Sequence, residues 1–196
     1  MQRPEIRIVG LGGALTSKVS SSRRALELAL QGAREAGASV QVFDLAEVDL
    51  PLFREGKKEI PASAIELCEA VKQAHGMIWC SPLYHGAVSG AFKNAIDWLQ
   101  LLHDEQEPYL SKKIVGLTAV AGGVQALQAI NSMEHMVRAL RGWTCPFVVP
   151  VNRSYEVFDK SGNLIDEHIG KQLGFLGGEV CRNALNWQKD ARLVSS

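Results

Sequence analysis

Short apolar runs alternate with longer amphipathic ones along almost the whole chain, and this alternation restricts the fold more than any other feature of the sequence. Ile6-Arg7-Ile8-Val9-Gly10 reads as a first strand that ends at Gly12-Gly13. Over residues 22–36 the apolar positions Ala25, Leu28, Ala29 and Ala33 recur near a 3.6-residue period, which predicts a helix closed by Gly37. Residues 39–43 read as the second strand. Residues 62–74 read as a helix with Ile65, Cys68 and Val71 on one face. Residues 76–80 form a continuous apolar run, the pattern of a strand covered on both faces. A helix over 89–102, a strand over 113–120, a helix over 124–141 and a strand over 145–151 follow. Residues 154–163 read as irregular, with a hairpin around Ser161-Gly162-Asn163. The last helix, over 166–188, is weakened by Gly170, Gly174, Gly177 and Gly178.

Strand and helix in strict alternation predict an α/β fold with a parallel sheet. Five strands fit the flavodoxin-like three-layer sandwich, a five-stranded parallel sheet in the order 2-1-3-4-5, and residues 1–196 are expected to form one such domain. With 196 residues, 46% of them hydrophobic, the chain can bury a full core without disulfides or metals. In this strand order ligands bind where the order reverses, beyond the carboxyl ends of the first and third strands. The loops after Val9, Cys80, Val120 and Val149 are therefore the candidates for chemistry.

Lys plus Arg and Asp plus Glu are equal in number, 21 each, so a nucleic-acid partner is not expected. No apolar stretch approaches the ~20 residues of a membrane span. The first residues enter a strand without the pattern of a signal peptide, so a cytoplasmic protein is expected. Cys68, Cys80, Cys145 and Cys181 lie far apart and are expected to be buried thiols. His75, His103, His135 and His168 are scattered without ligand spacing, so no metal site is expected.

The first loop, Gly10-Leu11-Gly12-Gly13-Ala14-Leu15-Thr16-Ser17-Lys18-Val19-Ser20-Ser21-Ser22, joins a strand to a helix and holds five hydroxyls and one Lys. A helix N-terminus offers free N–H groups and partial positive charge to a phosphate. One hydroxyl suffices for a cap, so five favour an anion site over capping alone. Val19-Ser20 stands where a Walker loop needs Lys-Ser/Thr, and Leu15 stands where a dinucleotide fingerprint starting at Gly10 needs its last glycine. A single phosphate monoester is the expected ligand group. The second loop, Ser81-Pro82-Leu83-Tyr84-His85-Gly86-Ala87-Val88-Ser89-Gly90, offers a stiff turn, an aromatic face at Tyr84 and a donor or acceptor at His85. The third, Ala121-Gly122-Gly123, lets backbone approach a ligand closely.

The run from Ser81 to Trp98 resembles the S-P-x-Y-x-x-x-x-S-G-x-x-K-N-x-x-D-W/Y pattern of the NADPH-dependent FMN reductase family nearly position by position. The likeness extends over residues 6–151. Pro108-Tyr109-Leu110, Ala121-Gly122-Gly123 and Arg138-Ala139-Leu140-Arg141-Gly142-Trp143 also look like a subgroup of NAD(P)H-dependent oxidoreductases. The resemblance implies bound FMN, with Leu15, Thr16, Ser20, Ser21 and Ser22 around its phosphate. It further implies Ser81, Pro82, Leu83, Tyr84 and His85 along the flavin ring, and Gly122 and Gly123 at its polar edge. Hydride would pass from NADPH or NADH through the flavin to a small acceptor such as a quinone or free flavin. No protein nucleophile or base is then required, and His85 is only a weak catalytic candidate. Family likeness also implies a homodimer or homotetramer joined near the helix over 89–102. In the first loop the chain departs from the family's usual G-S-L-R-P-G-S and lacks its Arg; Lys18 is the loop's one cation, at a different position. Two other readings stay open: a dedicated biosynthetic flavin dehydrogenase, and a flavodoxin-like carrier or regulator. Carriers are usually strongly acidic, and this chain has no net charge.

Overall fold

The apolar runs pair side by side in one sheet. β1 (Ile6–Gly12) lies between β2 (Ala38–Asp44) and β3 (Gly76–Tyr84), and β4 (Ala87–Val88) folds back antiparallel on β3. β5 (Ile114–Val120) runs parallel to β3 and carries β6 (Trp143–Thr144) and β7 (Val149–Val151) on its other side. Apart from β4, this is the expected flavodoxin-like order. The structure is a computed structural model that describes residues 4–16, 19–56 and 59–194, with side chains as far as residue 188.

Side chains alternate across the sheet as a strand requires. Val9, Leu11, Met77, Trp79, Val115, Leu117 and Ala119 face one core, covered by α2 (Ala62–Gln73), α3 (Gly90–Trp98) and α4 (Ala126–Ala139). Ile6, Ile8, Ile78, Cys80 and Ile114 face the other, covered by α1 (Ser21–Glu35) and α6 (Glu167–Val194). A single turn, α5 (Ser154–Val157), and an antiparallel bridge between Phe158 and Leu164 precede α6. All four cysteines are buried. Burial pushes the Cys80 thiol up to about 12 and the Cys68 thiol up to about 11, so neither is a nucleophile near neutral pH.

Four expectations need correction. The fifth strand is not continuous over 145–151. β6 and β7 pair with β5 in registers two residues apart, and Pro146, which has no N–H to give the ladder, sits in the interruption. The helix expected over 89–102 stops at Trp98 and ends in a 3-10 turn, Leu99–Leu102. The loop after the third strand is a hairpin: β3 runs on to Tyr84 and turns through His85 and Gly86 into β4. Of the four glycines of α6 expected to weaken it, Gly174 and Gly177 are where it docks on α1. A Cβ on Gly177 would sit 1.7 Å from the Ala29 carbonyl oxygen, and one on Gly32 of α1 would sit 1.9 Å from that of Gly174. The two backbones therefore pack closer than any side chain allows, and the helix-propensity cost is set against that contact.

At the opposite edge of the sheet His75 Nδ1 accepts the Arg7 N–H at 3.0 Å. Lys113 Nζ, buried nearby, donates to the Lys72 and Ala74 carbonyls that end α2. Burial first, then Arg7 and Lys113, holds the His75 pKa below its ordinary 6.5.

Two predictions follow from these contacts. Gly177→Ala is expected to destabilise the fold by about 2 kcal/mol through overpacking, whereas Gly174→Ala, whose Cβ meets nothing within 4 Å, is expected to gain about 0.5–1 kcal/mol in helix propensity. Thermal melts of the two variants check this pair. Because the folded His75 is harder to protonate than the unfolded one, stability should fall as pH drops below 6.5. Denaturant titrations at pH 7.5 and 5.5 should show that loss shrinking in His75→Asn, which keeps an acceptor but does not titrate.

Candidate functional site

The loops that leave the carboxyl ends of β1 and β3 are tied to each other. Gly13 N donates to the Cys80 carbonyl at 2.8 Å, and the Ser89 hydroxyl donates to the Gly13 carbonyl at 2.5 Å. Ser89 also caps α3 by accepting the Phe92 N–H. Its own N–H donates to the Ser81 hydroxyl, which in turn donates to the Pro82 carbonyl. Ser81 is fully buried, so its part in the site is to hold the hairpin, and Pro82 is buried beside it. Beyond them Leu83 is half-buried, while Tyr84 and His85 project outward. His85 and Gly86 have φ of 49° and 82°, the two left-handed residues of a tight two-residue hairpin turn.

The first loop delivers its residues unequally. Leu15 and Thr16 are exposed, and Ser21 is partly so. Ser20 is the N-cap of α1, its hydroxyl accepting the Arg23 N–H at 3.4 Å, so the capping alternative does apply to this residue. Ser22 is buried, and its carbonyl accepts the Cys80 thiol. Ser17 and Lys18 lie outside the described residues. Arg23 is ringed by carboxylates, 2.6 Å from Glu47, 3.2 Å from Glu27 and 3.2 Å from Asp44; Glu47 above all raises its pKa. Arg24 pairs with Glu27. The positive charge at the start of α1 is thus already matched, and free backbone N–H groups and hydroxyls remain as the donors there.

Across the switch point, Ala121 N donates to the Val151 carbonyl and Arg153 N to the Gly123 carbonyl at 2.8 Å. Asn152 Oδ1 accepts the Ala126 N–H at the start of α4. These contacts hold Gly122 and Gly123 on the surface. Neither has a positive φ, and a Cβ on either would meet nothing within 4 Å. The fold itself does not require glycine at these two positions.

Asn94 and Trp98 were not singled out from the sequence as site residues, yet they shape this edge. Asn94 Oδ1 accepts the Phe53 N–H at 2.8 Å, and its Nδ2 donates to the carbonyls of Leu50 and Pro51. Trp98 Nε1 donates to Pro51 at 2.8 Å, and its ring meets Phe53 edge-on. Together they fix the loop after β2 beside a groove of about 250 Å³ lined by Leu15, Leu45, Val48, Leu50, Leu52 and Ala91. An Asn inside a helix, a poor helix former, was the available signal. Lys93 and Asp97, one turn apart on α3, form an ion pair at 2.5 Å.

Comparison with known proteins adds to this geometry. A family model for NADPH-dependent FMN reductases matches residues 6–156. The chain is 35% identical over 131 residues to NADPH-dependent FMN reductase ArsH of Acidithiobacillus ferrooxidans, a match covering 67% of this chain and 54% of that one. It is 28% identical over 159 residues to an FMN-dependent NADPH-azoreductase of Staphylococcus haemolyticus, covering 78% and 81% of the two chains. Among solved structures it superposes on FerB, a flavoenzyme NAD(P)H:(acceptor) oxidoreductase of Paracoccus denitrificans, with a TM-score of 0.70 at 19% identity over 95% of this chain and 98% of that one. The chain spans only 54–64% of the length of three ArsH relatives it matches. With the family model covering residues 6–156, most of its length, the chain belongs to the NADPH-dependent FMN reductase family.

Proposed function

We propose that the chain is one FMN-binding domain that acts as an FMN-dependent NAD(P)H oxidoreductase on a small acceptor. The observation that carries this reading is the pair Gly122 and Gly123, glycines that no internal contact or backbone angle demands, just beyond the carboxyl end of β5 on the same edge of the sheet as the loops after β1 and β3. A flat ligand lying against that backbone would supply the missing reason. FMN fits the donor set. Its phosphate would meet the Thr16 and Ser21 hydroxyls and the N–H groups opening α1, with Leu15 over it, while Ser20, whose hydroxyl caps the helix, and the buried Ser22 would contribute through the backbone. Its ring would lie along Leu83, Tyr84 and His85, on the hairpin that the buried Ser81 and Pro82 hold, with its polar edge toward Gly122 and Gly123.

Bound there, FMN supplies hydride relay between NADPH or NADH and the acceptor. The chain's own part is to bind, orient and shield. The hydrogen bonds from Ser81 and Ser89 keep the hairpin rigid, so Tyr84 is presented at a fixed height. His85 is placed to hold a polar acceptor atom, and no residue here acts as nucleophile. Because Arg23 and Arg24 are already paired, phosphate recognition among the described residues falls to neutral donors. Quinones, free flavins and, by likeness to the azoreductase, azo compounds are the acceptor classes this reading covers. Leu15, Leu52, Tyr84, Val124 and Leu127 are exposed on the loops and helix start of this edge, a pattern that supports a homodimer or homotetramer covering it. No helix among the described residues is long and apolar enough to cross a membrane, which is compatible with the proposed cytoplasmic location.

The purified protein should retain a yellow chromophore after dialysis against FMN-free buffer, and anaerobic NADPH should bleach it. A protein that stays colourless after FMN is added and dialysed contradicts the reading; colour that NADPH does not bleach favours the carrier or dedicated dehydrogenase. Gly122→Val should leave the melting behaviour within about 0.5 kcal/mol, because its Cβ meets nothing, yet weaken FMN binding about tenfold or more. Fluorescence titration checks this, and unchanged affinity removes the glycine edge from the site.

A further inference from the structure

We propose that the tail hairpin between Phe158 and Leu164 is a strap that holds the phosphate loop in its binding shape, with Arg24 as the tether. The strap deepens the FMN reading and rests on it for its functional consequence.

The hairpin has a fixed base. Val157 and Phe158 are buried in the core under α1 and α6, Leu164 packs on that core, and Ile165 N donates to the Val157 carbonyl at 2.8 Å. A Cβ on Gly170 of α6 would sit 2.4 Å from Leu164, so the base is clamped from below. The tip is locked as well. The Asp159 carboxylate accepts the N–H groups of Ser161 and Asn163 at 2.8 Å and the Asn163 side-chain amide at 2.9 Å. These bonds, those from Asn163 first, hold its pKa below the usual carboxylate value.

The locked tip rests on the entry to α1. Gly162, at φ of 81°, sits so close that a Cβ would lie 3.3 Å from Val19 Cγ1 and 3.5 Å from Arg24 Cγ. Its carbonyl accepts Arg24 Nε at 2.9 Å, a bond spanning most of the chain. Arg24 N in turn donates to the Ser20 carbonyl, and the Ser20 hydroxyl accepts the Arg23 N–H. Contact thus runs without a gap from the core, through the hairpin tip, to the residues whose N–H groups open α1. The tip carries one cation, Lys160, exposed and without an ion pair among the described residues, and its carboxylate, Asp159, is spent on its own turn. Its contribution is positional, and Asp159 and Arg24 are positioning residues.

The charge of Asp159 makes the test sharp. Removing a carboxylate can only favour an anion by Coulomb's law, so electrostatics alone predicts that Asp159→Ala tightens FMN. The strap predicts the opposite. In the 196-residue chain, the FMN dissociation constant should rise about fivefold or more while that of riboflavin, which lacks the phosphate, stays within about twofold. Arg24→Lys keeps the charge and removes the Nε–H donor, and should shift the FMN to riboflavin ratio in the same direction. It stands in if Asp159→Ala does not fold. Unchanged or tighter FMN binding, or equal losses for both flavins, overturns the proposal. A wild-type protein that holds FMN no tighter than riboflavin overturns the FMN reading instead. Hydrogen exchange without ligand then decides the strap alone: faster exchange confined to the amides of Val19 to Arg24 in the variants supports it, and unchanged exchange there overturns it.

Discussion

At the centre of the site the Ser89 hydroxyl donates to the Gly13 carbonyl while accepting the Phe92 N–H, and Gly13 N donates to the Cys80 carbonyl. One side chain thereby fixes three things: where the first loop leaves β1, where α3 begins, and how the hairpin after β3 returns. A Cβ on Gly13 would sit 2.8 Å from that of Phe92 and 3.1 Å from Ser89 Oγ, so this junction closes only with glycine at that position. Buried hydrogen bonds of this kind are costly to leave half made, which gives the junction a single geometry. The loops that meet there inherit that geometry, and the positions of Thr16, Tyr84 and His85 follow from it.

Rigid loops at a switch point suit a cofactor that performs the electron chemistry itself. The chain then needs no activated side chain, and the buried thiols, the paired arginines and the outward-facing His85 agree with that division of labour. What remains for the protein is shape. Asn94 and Trp98 set the loop after β2, the 151–154 segment sets Gly122 and Gly123, and the closely packed α1 and α6 carry the start of α1 as one body with the tail.

Much of this was legible in the sequence. Period-2 and period-3.6 patterns are local, so the strands and helices could be read from them, and their alternation fitted the flavodoxin-like arrangement that supplies the strand order. The motif from Ser81 to Trp98 marked out the hairpin after β3 and the helix that follows it. The roles of its letters were not legible, because they depend on partners far away in the chain: Asn94 on Leu50 and Phe53, Ser89 on Gly13. The hairpin after β3 was missed because His85 supplies a left-handed residue where glycine is the usual signal. The role of Gly177 in α6 likewise depends on a distant partner. Propensity describes a helix in isolation, whereas Gly177 is chosen by the Ala29 carbonyl on another helix. The broken fifth strand had a local signal in Pro146, which the β-branched residues around it outweighed.

The central claim is that one ligand spans the first loop, the hairpin and the glycine edge together. Backbone amide shifts measured by NMR on titration with FMN test it most directly. Shifts concentrated at Ala14 to Ser22, Tyr84 to Gly86 and Gly122 to Gly123, saturating at one equivalent, are the expected result. Shifts centred on any other face, or on only one of the three segments, would contradict the account.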